Sequence, residues 1–257
     1  MSIAFSDYND LGHGQNPANF IAFGLGWGNN AVVNVIAAAN VIVPTTTVPP
    51  DLNGQLAYIA QRWQSSSEAE RRIQIDAFIQ AVMRPCEPPA PIPLGQQAPQ
   101  VADNVLRVSA EQSVAYAGTR GTIHQNTQVG HGKFDYLIGR AIGGTVTNSL
   151  RPSLIIEAKD NLGPNRDFGQ WQLCAQMATA RQVAAAFSQY RRTRGVLSDG
   201  RRWRFYELDT GMTLTAPVLT RSDAYDAGNG LDRGTILRLL QKFIEHYARG
   251  PSLFSLP

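Results

Sequence analysis

Cysteine is almost absent from this chain. Cys86 and Cys174 are the only two. They form no metal-ligand spacing and imply no disulfide framework. Histidine is also sparse: His13, His124, His131 and His246 lie far apart, so a zinc site is not expected. No GxxxxGK[ST] stretch occurs, which disfavours a P-loop nucleotide hydrolase. There is no long unbroken apolar run. The segment from Phe20 to Val43 comes nearest, but Gly24, Gly26, Gly28, Asn29, Asn30, Asn34 and Asn40 interrupt it and make it a poor spanning helix. Met1 is followed by polar residues including Asp7 and Asp10, unlike the basic start of a secretory leader. A soluble, intracellular or nuclear protein with no membrane partner is expected.

What is present is an ordinary globular composition. Hydrophobic residues make up 43% of 257 and charged residues 17%, enough for a core of good size. The net charge of +3 is compatible with a nucleic-acid partner. Residues 1–50 are rich in Gly and Asn and end in "VPTTTVPPD"; they read as an N-terminal extension of unassigned role, with 51–257 as the main domain. Within the extension, "NNAVVNVIAAANVIV" suits a helix or a strand. Residues 85–100 hold six of the fifteen prolines and read as an extended connector.

Two short segments carry the chemistry. "KFDYLI" (133–138) and "LIIEAKD" (154–160) are apolar enough to be buried strands, yet each carries ionisable residues. Side chains alternate between the faces of a strand. Leu154, Ile156 and Ala158 therefore share one face, and Ile155, Glu157 and Lys159 share the other. Phe134, Tyr136 and Ile138 share a face and leave Asp135 opposite. If the strands pair, Asp135 lies beside Glu157. Buried charges are costly unless paired or metal-bound. Two converging carboxylates repel, and a divalent cation removes that repulsion; oxygen ligands suit Mg²⁺. A lysine beside them can position water or offset phosphoryl charge.

Around these strands the periodicity supplies helices. "LNGQLAYIAQRWQ" places Leu52, Leu56, Ile59, Ala60 and Trp63 at helical spacing. Ser67 is a candidate N-cap for "EAERRIQIDAFIQAVMR", whose buried stripe is Ile75, Phe78, Ile79, Val82 and Met83. That stripe, extended backward, reaches Arg71 and Glu68. "NVLRVSAEQSVAYAG" reads as one or two strands, with Glu111 as a second candidate acid. "TRGTIHQNTQVGHG" reads as a turn-rich loop, and His131 as a loop histidine. A helix follows from about Phe168 to Tyr190, with Gln172 and Gln176 on one face. "SDG" marks a hairpin turn between "GVL" and "WRFYEL". It lies within a basic stretch whose arginines Arg191, Arg192, Arg202 and Arg204 are candidate phosphate contacts. A last amphipathic helix runs through "GTILRLLQKFIEHYARG".

The ordered set of Asp135 in "GKFDYLI", Glu157-x-Lys159 in "LIIEAKD", the glutamine-bearing "GQWQLCAQMA" and the hairpin "GVLSDGRRWRFYEL" resembles the PD-(D/E)XK nuclease superfamily over roughly residues 65 to 210. The spacing looks most like the nuclease-like domains of Crinkler-type effectors. No proline precedes Asp135, a departure that many members share. The resemblance implies an α/β fold with a mixed central β-sheet flanked by helices and a restriction-endonuclease-like core. It implies metal-dependent hydrolysis of phosphodiester bonds, in DNA before RNA. Asp135, Glu157 and the carbonyl of Ala158 would hold Mg²⁺ or Mn²⁺, and Lys159 would activate water. Glu68 would hold a second metal or a water, and Gln172, then Gln176, would contact the site. Two rivals stay open: a catalytically silent nuclease fold that binds nucleic acid or protein, and an assembly role led by residues 1–50.

Overall fold

Alternation of β-branched and aromatic residues with polar ones builds a single mixed sheet in the computed structural model of the chain. The structure describes residues 33–36, 46–63, 67–84, 106–118, 127–141, 150–159, 162, 169–185, 192–209 and 218–245. The strands are β1 (Val33–Ile36), β2 (Leu106–Gly118), β3 (Thr127–Ala141), β4 (Leu150–Ala158), β5 (Arg192–Ser198), β6 (Arg202–Asp209), β7 (Val218–Ser222) and β8 (Tyr225–Asp226). They lie in the order β1-β7-β6-β5-β4-β3-β2, with β8 paired to β6. The β4–β5 and β1–β7 pairs are parallel and the others antiparallel. β1 comes from the N-terminal extension, so four of its residues form an edge of the sheet.

The described helices are α1 (Pro50–Arg62), α2 (Glu68–Met83), α3 (Gln170–Ala185) and α4 (Gly230–Glu245). Pro50 stands in the first turn of α1, where its missing N–H costs nothing and its fixed φ favours the helix. Ser67 caps α2: its side chain accepts from the Glu70 N–H at 3.2 Å, and Glu70 accepts from the Ser67 N–H at 3.0 Å. This reciprocal box satisfies two donors the helix cannot.

The period-2 alternation sorts the layers. Tyr136, Ile138, Leu154, Ile156 and Ala158 belong to one core with Val196, Trp203 and Phe205 of the next strands. Leu52 and Ile59 of α1, Phe78 and Val82 of α2, and Ile236 and Phe243 of α4 cover that face. On the other face, α3 packs over β5 and β4 through buried Leu173, Cys174 and Met177. Gly195 permits the close approach, because a Cβ there would stand 2.7 Å from Met177 Sδ. The parallel β4–α3–β5 unit is thus a crossover connection, as parallel pairing demands.

One expectation changes. β3 begins at Thr127, so "TQVGHG" is strand rather than loop, and His131 sits in the ladder opposite Ala115. Cross-strand pairing along the whole of β2 outweighs the turn propensity of the glycines. β2 is a single strand, one of the two forms expected, with Glu111 at a φ of 51° and a register shift between Tyr116 and Ala117. α3 spans 170–185; residues 186–190 lie outside the described residues, as do Arg191, the 85–100 connector and most of the extension.

Candidate active site at the ends of β3 and β4

The β3–β4 ladder runs from Ala141↔Leu150 to Tyr136↔Ile156. One further step would set Asp135 opposite Glu157. There the backbone pairing gives way to a side chain: Asp135 Oδ2 accepts the Ala158 N–H at 2.8 Å. On its other side β4 continues with β5, and the Lys159 N–H reaches the Ser198 carbonyl at 2.9 Å. Asp135 therefore stands beside the strand that carries Glu157 and Lys159.

Glu157 is 3% exposed, and a bare carboxylate that deep would be expensive. Three donors offset the cost. Lys159 Nζ lies 2.7 Å and Gln172 Nε2 2.5 Å from Oε1, and Gln176 Nε2 lies 2.6 Å from Oε2. Lys159 Nζ also donates to Gln172 Oε1 at 2.8 Å, so the three side chains close a ring. Gln176 further donates to the Lys133 carbonyl at 3.2 Å, tying α3 to β3. Burial pushes the Glu157 carboxyl up, and the neighbouring Asp135 charge pushes the same way. Lys159 and Gln176 pull it back, and the balance stands at about 7. A carboxyl titrating near neutrality beside a second carboxylate suits a cation-binding or proton-handling site.

Arg72 is the second organising group. Its Nη2 donates to Asp135 Oδ1 at 2.5 Å and to Glu68 Oε1 at 2.8 Å, and its Nη1 to Glu111 Oε1 at 3.0 Å. Lys133 Nζ adds a bond to Glu111 Oε2 at 3.3 Å. Burial alone would lower the Arg72 pKa, but Asp135, Glu111 and Glu68 together hold it above its usual value. The same arginine and Lys133 depress Glu111. Four carboxylates, those of Glu68, Glu111, Asp135 and Glu157, thus share three cations, Arg72, Lys133 and Lys159.

Asp135, Glu157, Lys159, Gln172 and Gln176 are brought together. Glu68 reaches the group only through Arg72, with its side chain 41% exposed. Ala158 joins Asp135 through its N–H. The arginines proposed as phosphate contacts are placed otherwise. Arg192 Nε pairs with Asp209 at 2.8 Å, Arg202 Nη1 donates to the Leu162 carbonyl at 2.5 Å, and Arg204 is buried. Arg191 lies outside the described residues. Strand alternation correctly put Arg202 and Arg204 opposite Trp203 and Phe205, but could not reveal that this face is covered too.

Arg72 and Gly169 are among the residues of the site that escaped the sequence reading. Arg72 had a signal: it stands four after Glu68, the spacing of a helical ion pair. Gly169 had none. Its φ is +93°, a backbone that favours glycine, and a Cβ there would stand 2.5 Å from Lys159 Cε and push the lysine side chain aside.

No protein-family model matches the chain, and no curated protein matches it.

Proposed function

We propose that this protein is a metal-dependent nuclease of the PD-(D/E)XK type, hydrolysing phosphodiester bonds in DNA. The observation that carries the reading is the meeting of Asp135, Glu157 and Lys159 at one end of β3 and β4, with Lys159 Nζ 2.7 Å from Glu157 Oε1. The antiparallel β2–β3–β4 unit, the β4–α3–β5 crossover and α2 on the opposite face support a restriction-endonuclease-like core. An effector-type role, as in Crinkler-like domains, is part of the proposal.

The donor set fits Mg²⁺ or Mn²⁺, since every candidate ligand is a hard oxygen. Asp135, Glu157 and the Ala158 carbonyl would hold the ion once Arg72 releases Asp135, and Glu68 would hold a second ion or a water. Such an ion supplies Lewis acidity and a more acidic water. The chain's own residues do the rest. Lys159 orients the attacking water and offsets charge building on the phosphoryl oxygens. Gln172 fixes the lysine from one side and Glu157 fixes it from the other. Gln176 locks the Glu157 rotamer against β3.

A silent module that binds nucleic acid or protein is favoured by two features. Arg72 already occupies Asp135 Oδ1, and among the described residues no group of three His, Cys, Asp or Glu is arranged to hold an ion. Incubating plasmid, linear DNA and RNA with the protein in Mg²⁺, Mn²⁺ or EDTA separates the two. The proposal expects cutting that requires metal and disappears in Glu157→Ala and Lys159→Ala. Binding without cutting, unaffected by either substitution, supports the silent module and ends the nuclease reading.

A further inference from the structure

Behind α2, on the side away from Asp135, lies a second concavity of about 670 Å³. Its walls are the outer face of α1, the first turns of α2, the β5–β6 turn and the segment leading into α4. Trp63 and the alanines of α1 give it an apolar side. Arg71, Arg201 and Arg233 give it a basic one, and Asp199 is the only acidic residue in the lining. Asp199 is already spent on the turn: it accepts the N–H groups of Arg201 and Arg202 through Oδ1 and that of Leu162 through Oδ2.

On the basic side, uncompensated charge is kept by Arg233. Arg201 is 70% exposed and pairs with Asp226 at 3.1 Å. Arg233 donates to two neutral acceptors, the Ala227 carbonyl at 3.0 Å and Asn53 Oδ1. Among the described residues it has no carboxylate within ion-pair distance. A guanidinium held in place by neutral groups at the rim of a cleft is a ready anion contact.

The cleft shares its walls with the candidate active site. Arg71 faces the cleft while the next residue, Arg72, holds Asp135. The turn at Gly200 follows Ser198, which receives the Lys159 N–H. That turn is pressed onto α2, for a Cβ at Gly200 would stand 2.8 Å from the Arg71 carbonyl. An aromatic ring and an apolar wall beside the fixed guanidinium of Arg233 match a nucleotide, base on one side and phosphate on the other.

We propose that this cleft is a second subsite for the same nucleic acid, holding a single-stranded segment that leaves the active site, with Trp63 stacking a base, Arg233 holding a phosphate and the exposed Arg201 adding a second contact at the rim. The inference rests on the nuclease reading and extends it. Its test is the binding of a fluorescein-labelled single strand of about 12 nucleotides, followed by anisotropy in EDTA over a salt series. Trp63→Ala and Arg233→Ala are each expected to weaken binding by about tenfold. Arg233→Ala and Arg201→Glu should also flatten the salt dependence by about one unit each. Arg233→Lys, which keeps the charge, should recover most of the affinity and so separate contact loss from misfolding. A mononucleotide or inorganic phosphate should compete only weakly. Strand affinity and salt slope that stay at the wild-type values in Trp63→Ala, Arg201→Glu and Arg233→Ala overturn the proposal. So does a mononucleotide that competes as well as the strand, which would make the cleft an effector pocket. Metal-dependent cutting by the wild type, lost in Glu157→Gln, reports on the nuclease reading separately. The cleft can thus fail while that reading stands, or hold while it falls.

Discussion

Two buried acid–base clusters occupy the same sheet, and they are built on opposite plans. At the ends of β3 and β4, Glu157 shares its surroundings with a second carboxylate, Asp135, and its carboxyl rises to about 7. In the middle of β5 and β6, Glu207 lies between two guanidiniums, 3.4 Å from Arg194 and 3.6 Å from Arg192. There the strained partner is the cation: burial lowers the Arg194 pKa and Glu207 restores part of it. Arg194 also lies over the Phe243 ring at 5.6 Å, a further compensation. Burial of charge is common to both. What distinguishes the first cluster is like charge beside like charge, with the amides of Gln172 and Gln176 on Glu157 where Glu207 has a second guanidinium. In the first cluster Arg72 and the Ala158 N–H hold Asp135 while three donors hold Glu157, so a divalent ion would have to displace one of these partners.

The sharpest contrast is in activity. Lys159→Ala is expected to lower cutting by about 10²- to 10⁴-fold, while Glu207→Gln leaves the rate per folded molecule at the wild-type level. Comparable losses in both would erase the distinction. The order reverses for stability. Glu207→Ala takes the carboxylate from the buried Arg194 guanidinium, while Arg192 keeps Asp209, and should cost about 3–5 kcal/mol, read as a fall in Tm. Glu157→Gln keeps the hydrogen-bonding shape and should cost much less. A smaller effect appears with pH in metal-free buffer. The Glu157 carboxyl titrates near 7 when folded, against an ordinary value of 4.5. Between those limits the folded chain holds a proton that the unfolded chain has lost, so stability falls as pH rises. Glu157→Gln lacks this titration. Its Tm should therefore gain on the wild type from about pH 4.5 to 7 and then level off. A constant difference across that window would show that Glu157 is not raised.

Much of this comparison was legible in the sequence. Alternation along "LIIEAKD" put Leu154, Ile156 and Ala158 on the core face and Glu157 on the other, as found. The i,i+4 pair Gln172 and Gln176 reaches Glu157 from one helix face. Ser67 caps its helix, and "SDG" turns its hairpin, with Gly200 at φ +82°. These signals are local. Arg72 bridges positions 63 apart in sequence, and no periodicity predicts which acid a long side chain will find. The Arg192–Glu207 and Arg194–Glu207 pairs look, in sequence, like a solvated basic stretch. They are inside because the strands on either side of β5 and β6 and the helices above and below cover both faces, a fact of tertiary structure alone. The length of β3 was hidden for a similar reason, since its first residues are held by β2 rather than by their own propensity.

The central claim concerns a cation, and it can be measured without any substrate. Titration of Mn²⁺ into the purified protein, followed calorimetrically, should show specific binding that Asp135→Asn and Glu157→Gln each weaken severely. Arg72→Gln should instead tighten it by freeing Asp135. Absence of binding in both the wild type and Arg72→Gln, or binding indifferent to Asp135 and Glu157, would contradict the account.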